Sequence, residues 1–294
     1  MGSNCFNFTV DLLTYLKSWY NRFMPYIIDN LRNSFDFFLR NRITFSRKNY
    51  YEKPQNLSGI FTNEEQENLY AVLENKYGDL LSQNTNKRNF LLNIYSLNIF
   101  DKYLTPKNSS PKEDISILDI GSKNWAYVRS EFVFFKSFAK DFTLNGIELD
   151  AYRMYSNFYN RYEIAKFYTK DLPNTNYIPG DLLEHQQKYD YIIWILPFIT
   201  EYPLVKWGLP LKYFKPEDML IHAYNLLKPE GEMLIINQGE EEYLIQQKLV
   251  NKTIFESKYL PPNYLPPIYL PLGLTEDPFG IFKHKRYCSK LIKQ

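Results

Sequence analysis

Three short segments carry residue types able to do chemistry together. The first, Ile117-Leu-Asp119-Ile-Gly121, is an apolar run that ends in an acid and then one glycine. A glycine there lets a ligand approach the backbone, and the amides of the following turn can bind a carboxylate or phosphate. The second, Gly146-Ile-Glu148-Leu149-Asp150, closes the next apolar run, where a carboxylate can accept from both hydroxyls of a ribose. The third, Pro179-Gly180-Asp181-Leu182, offers an acid that can accept from an adenine amino group.

These segments need elements to position them. From residue 115 onward, apolar runs of strand length alternate with helical runs: ISILDI, 125–140, FTLNGIEL, 151–168, NYIPGD, YDYIIWIL, 216–227, GEMLIINQ and 240–251. The alternation predicts a parallel sheet covered on both faces. All three segments then fall at carboxyl ends of successive strands, the edge where open α/β sheets bind ligands. They describe a pocket for an adenosine-containing molecule. The acids Asp119, Glu148 and Asp181 suit a cationic cofactor better than an anionic dinucleotide. The phosphate loop G-x-G-x-x-G of nicotinamide enzymes is absent.

With these segments, YDYIIWILP at 189–197 and Leu227-Lys-Pro-Glu-Gly231-Glu-Met-Leu-Ile, the chain resembles the class I S-adenosylmethionine-dependent methyltransferases over about residues 88–294. The resemblance implies a Rossmann-like, seven-stranded, mostly parallel α/β sheet with an antiparallel final hairpin. It implies S-adenosylmethionine as cofactor, with Gly121 beside its methionine part, Glu148 at the ribose and Asp181 at the adenine. Ser122, Asn124, Leu149, Leu182 and Leu196 flank these positions and complete the expected cofactor set with Asp119, Lys123 and Trp125. The first motif departs from the family by reading Gly121-Ser-Lys-Asn-Trp125 where further glycines are usual. Lys123 either pairs with the cofactor carboxylate or points to water. Trp125 either faces the sulfonium or packs under the first helix of the domain.

Methylases of base amines carry a polar residue before Pro-Pro-aromatic, whereas here the fourth strand ends Ile195-Leu196-Pro197-Phe198, which disfavours a nucleobase amine. The insertion 198–215 carries Phe198, Tyr202 and Trp207 as candidate substrate contacts, against the alternative of a satellite apolar cluster under a long loop. The acceptor is expected to be a small molecule. Glu201 and His222 are the nearby titratable groups, and no catalytic base is assigned.

Upstream, residues 7–42 read as helix interrupted at Pro25, and 43–60 as a polar linker. Thr62-Asn-Glu-Glu65 has the form of a capping box before a helix, and another helix spans 88–104. Two prolines in 105–114 place the expected boundary there, dividing a helical extension (1–110) from the methyltransferase domain (111–294). The first fifty residues hold seven basic and three acidic side chains. That allows peripheral contact with an anionic membrane, although a cap with solvated charges is the preferred expectation. The competing functional reading is a catalytically silent scaffold that docks through these helices or through the repeat Tyr259-Leu-Pro-Pro, Tyr264-Leu-Pro-Pro, Tyr269-Leu-Pro. That repeat reads as a polyproline crossing between two final strands.

Composition narrows the rest. The net charge of +2 supplies no field for nucleic acid. Two cysteines far apart and three scattered histidines make neither a disulfide framework nor a metal site, so no metal is expected. The opening MGSNCF lacks a signal core, and Phe6 breaks the myristoylation pattern. A reducing, cytoplasmic location is expected. The 18% aromatic content is read as codon bias of an AT-rich genome.

Overall fold

The computed structural model describes residues 26–43, 49–78, 86–106, 114–255 and 266–294. Its centre is one seven-stranded sheet of order β3-β2-β1-β4-β5-β7-β6. The strands are β1 (Ile115–Ile120), β2 (Phe142–Glu148), β3 (Thr175–Pro179), β4 (Tyr189–Ile195), β5 (Leu227–Gln238), β6 (Ile268–Thr275) and β7 (Arg286–Ile292). The first five pair in parallel, while β7 runs antiparallel to both β5 and β6. This is the Rossmann-like arrangement with an antiparallel final hairpin that the family resemblance implies, and its parallel part is what the β/α alternation anticipates. The order reverses between β1 and β4, which are direct neighbours. A crevice forms where strands diverge at such a reversal.

Helix α1 covers 26–42; the reading of 7–25 as helix lies outside the described residues. The others are α2 (Glu64–Tyr77), α3 (Lys87–Tyr103), α4 (Val128–Lys136), α5 (Arg161–Thr169), α6 (Glu201–Lys206), α7 (Pro216–Leu226) and α8 (Gly239–Val250). Strand residues alternate between two apolar layers. Ile117, Leu144, Ile193 and Ile236 pack with α3 and α4 through Leu97, Phe100, Phe134 and Phe135. Leu118, Ile120, Ile192 and Ile235 pack with α7 and α8 through Leu220, Ala223 and Val250. Each such side chain stabilises the fold by roughly 1.5–3 kcal/mol relative to exposure. Among the described residues, no helix is long and apolar enough to cross a membrane.

Three local expectations are corrected. The cap of α2 is Asn63, not Thr62: Asn63 accepts from the Gln66 amide, and Gln66 reaches back to the Thr62 N–H. The exchange falls short of a capping box, because Gln66 returns to the residue before the cap and not to the Asn63 N–H. The helix expected over 151–168 begins only at Arg161, because Asn160 and Glu163 form a full capping box that sets its start. The last copy of the Tyr-Leu-Pro repeat lies inside β6, with Tyr269 opposite Leu291. Proline is tolerated there because β6 is the outermost strand, and the pairing shifts register between Pro271 and Gly273. The two earlier copies lie wholly or partly outside the described residues.

The described residues fall into two compact units. One contains 26–43 with 200–215; the other contains the sheet and all remaining described helices. The helices before residue 110 are therefore divided between the units. In the first unit α1 holds the inserted segment by polar bonds. Asn33 donates to the carbonyls of Val205 (2.7 Å) and Leu209 (3.3 Å), and Asn30 accepts from the Leu211 amide (2.7 Å). Arg40 donates to the Gly208 carbonyl, and Lys206 pairs with Asp29.

Candidate functional site

The carboxyl ends of β1, β2 and β3 stand side by side, with Asp119 in register with Gly146 and Glu148 with Pro179. Glu148 is the hub of this edge. Its Oε1 accepts from the Asp150 amide (2.8 Å) and from Arg161 Nη1 (2.9 Å), and its Oε2 accepts from the Lys123 amide (2.8 Å). Both partners of the Glu148–Arg161 pair are buried. Burial acts against the Arg161 charge, but Glu148 and Asp150 outweigh it and raise its pKa.

The turn after β1 does not present its first amides to a ligand. Gly121 N–H and Ser122 N–H both bond the Ile147 carbonyl (2.8 and 3.3 Å), and Lys123 N–H is held by Glu148. The expected anion-binding role of these amides is corrected accordingly, since β2 has claimed them. The backbone is left-handed at alternate positions, with φ of 71° at Gly121, 57° at Lys123 and 51° at Trp125. The turn thus adopts, at two side-chain-bearing residues, a conformation glycine would take without strain, at roughly 1–2 kcal/mol each. Lys123 is half-buried, so it does not simply point to water. Burial lowers its pKa, and its carbonyl accepts from the Tyr177 hydroxyl.

Trp125 is fully buried beneath α4, with its indole N–H donating to Glu131 Oε2 at 2.8 Å. The packing alternative is the one realised, and in this structure the ring is closed off from any sulfonium. Asp119 is likewise enclosed and accepts from the Tyr127 hydroxyl at 2.7 Å. Asp119 Oδ1 and Glu131 Oε1 are both buried with no donor reaching them. Burial pushes both acids above the usual carboxylate range. The charge of Asp119 acts against ionisation of Glu131. Ser122 is also fully buried, its hydroxyl unpartnered. Asp119, Ser122 and Trp125 therefore build the turn from beneath and do not line its surface.

The open part of the edge is formed by other residues. Gly121 is exposed, and Asn124, Leu149, Gly180, Asp181, Leu196 and Phe198 are half-buried. A Cβ added at Gly121 or Gly180 would meet nothing within 4 Å, so there is room above both turns. This rim carries both apolar (Leu149, Leu196) and polar (Asn124, Asp181) side chains. Asp181 also caps the short turn Leu182–Glu184 by accepting from the Leu183 amide at 3.0 Å. Leu182 itself is buried against the α7 layer. Leu196 takes a left-handed φ of 57° and closes β4 by donating its amide to the Ile236 carbonyl.

In the other unit, Tyr202 is 65% and Trp207 43% exposed. Glu201 accepts from the Tyr26 hydroxyl, and His222 Nε2 bonds the His185 carbonyl. Neither is poised as a base. Among the described residues, no cluster of three or more His, Cys, Asp or Glu could hold a metal ion. Sequence reasoning missed Arg161 and Glu131. The box Asn160-Arg-Tyr-Glu163 was available to mark Arg161 as the first residue of a helix. A lone acid in the apolar helix VRSEFVFFK was available to mark Glu131.

No family model and no curated protein matches the chain. Among solved structures, it is similar to a SAM dependent methyltransferase from Aquifex aeolicus, with 12% identity and a TM-score of 0.43, over 69% of this chain and 90% of that one. It is also similar to the plantazolicin methyltransferase BpumL in complex with SAH, with 11% identity and a TM-score of 0.43, over 81% and 93% of the two chains. A third is magnesium protoporphyrin IX methyltransferase (ChlM) from Synechocystis PCC 6803 with bound SAM, with 11% identity and a TM-score of 0.42, over 92% and 96%. Similarity at this level transfers neither an activity nor a substrate.

Proposed function

We propose that this chain is an S-adenosylmethionine-dependent methyltransferase of the cytoplasm, acting on a small or medium-sized acceptor by in-line transfer. One observation carries the reading. A seven-stranded sheet that reverses order between β1 and β4 brings Gly121, Glu148 and Asp181 to the carboxyl ends of three adjacent strands. Gly121, Lys123 and Asn124 would hold the methionine part, Glu148 and Leu149 the ribose, and Asp181 with Leu182 the adenine. Leu196 would close the rim beside β4. The cofactor, when bound, supplies an electrophilic methyl on a sulfonium.

The chain's own contribution is orientation. Acids near the sulfonium nucleoside favour its positive charge, and a fixed rim aligns an acceptor lone pair with the methyl. Phe198 is proposed to contact the acceptor on the unit of the sheet, and the exposed rings of Tyr202 and Trp207 are separate candidates on theirs. No base is required for an acceptor without a proton to lose, and a proton released by any other passes to water.

Thermal unfolding with S-adenosylmethionine and with S-adenosylhomocysteine tests this. A ligand at a hundredfold excess over its Kd stabilises by ~2.7 kcal/mol, and Glu148→Ala should abolish the shift. No shift with either ligand at millimolar concentration overturns the proposal.

A further inference from the structure

An ionised carboxylate has about four acceptor positions. Glu148 has three filled, by Asp150 N–H, Arg161 Nη1 and Lys123 N–H. Among the described residues no fourth donor reaches it, which leaves one position on Oε2. A vicinal diol that donates both hydroxyls to this carboxylate needs two, so one donor must leave. The two amides are backbone groups, and the Lys123 amide belongs to a turn anchored on the Ile147 carbonyl. Arg161 is the displaceable donor. Its backbone is fixed at the start of α5 by the Asn160–Glu163 box, and its buried side chain can change carboxylate partner by rotation about its own bonds without moving either amide.

Two further observations show where the guanidinium would go. Its Nε is buried without an acceptor, so the pairing with Glu148 leaves it under-satisfied. Its Nη1 already lies 3.8 Å from Asp150 Oδ2, whose other cationic partner is Arg153 Nε at 2.8 Å. A second carboxylate thus waits within a short swing.

We propose that Arg161 is a latch on the ribose position. It holds Glu148 and passes to Asp150 when a nucleoside diol takes its place. The proposal rests on the adenosyl reading of this edge and adds a specificity consequence. A nucleoside with a single ribose hydroxyl can use the open Oε2 position without displacing anything. The wild-type chain should therefore discriminate little between ribose and deoxyribose ligands, because the gain from a second hydroxyl is spent on releasing Arg161.

Calorimetric titration with S-adenosylhomocysteine and its 2′-deoxyadenosyl counterpart tests this. For the wild type the two Kd values should agree within about threefold. Arg161→Met should tighten S-adenosylhomocysteine about tenfold, the worth of one hydrogen bond to a charged group, and leave the deoxy ligand within about twofold. Arg161→Lys, which keeps a cation, should behave like the wild type. Should Arg161→Met not fold, Asp150→Asn removes the receiving carboxylate and should weaken S-adenosylhomocysteine binding about tenfold with the deoxy ligand unchanged. Equal changes for both ligands in these variants would mean a purely structural arginine and would overturn the latch. A wild type that binds neither ligand removes the adenosyl reading, and the latch with it; binding of both with unaltered ratios in every variant removes the latch alone.

Discussion

The ring of Trp125 lies so close to the backbone of Gly146 that a Cβ added there would sit 2.8 Å from Cη2 and 2.9 Å from Cε2 and Cζ2. Residue 146 must therefore be glycine for as long as residue 125 is tryptophan. Gly146→Ala should destabilise the chain by about 1–3 kcal/mol through overpacking. Combining it with Trp125→Leu should recover part of that loss, read as a coupling energy in a urea-denaturation double-mutant cycle. Strict additivity would contradict the contact.

The burial of Asp119 and Glu131 makes stability depend on pH. Both acids have folded pKa values above the unfolded range near 4, so the folded chain binds more protons than the unfolded one once pH exceeds that range. Stability from this pair is complete in acid and declines as pH rises toward the folded values. Tyr127, Trp125 and Glu148 are the other groups facing the pair. Glu131→Gln can still accept from the Trp125 indole and carries no charge to bury. Its stability relative to wild type should improve by at least about 1 kcal/mol between pH 6 and pH 9. A parallel decline of both proteins in chemical denaturation would refute Glu131 as the source of the pH dependence.

Asp181 has two separable duties. Asp181→Ala removes the acceptor for the Leu183 amide, a cap worth about 1 kcal/mol. It should also weaken S-adenosylhomocysteine about tenfold in calorimetry, because the adenine amino group loses its acceptor. Asp181→Asn, which retains a carbonyl oxygen for the cap, should restore stability more than affinity.

In the unit of α1 and 200–215, Asn33 is the principal tie, since one amide group serves two carbonyls. Asn33→Ala leaves both carbonyls without that donor and should cost about 1–3 kcal/mol locally. Hydrogen exchange at the amides of 204–211 should speed up. Unchanged protection there would show that the segment is held by apolar packing instead.

Much of the sheet is legible in the sequence because buried parallel strands read as unbroken apolar runs. ISILDI, for example, is β1 without a residue to spare. The helical stretch after β2 is not legible, because its periodicity runs on through 151–160 while Asn160 physically resets the start. β6 escapes notice for the opposite reason: proline argues against a strand until the strand is known to be outermost. The candidate site is legible in its positions but not in its pairings. That Glu148 meets Arg161 depends on a loop folding back across thirteen residues, and no local pattern announces it. The direction of Trp125 depends equally on the left-handed backbone beneath it.

The sheet's final margin has a consequence for solubility. A free strand border is a template on which a second chain can add itself, backbone to backbone. Here that border carries Pro271, which lacks an amide hydrogen, and a register slip at Gly273 two residues on. A foreign strand approaching it would find an interrupted ladder, so the molecule resists runaway stacking along this side even though Ile268, Leu270 and Leu274 leave it greasy.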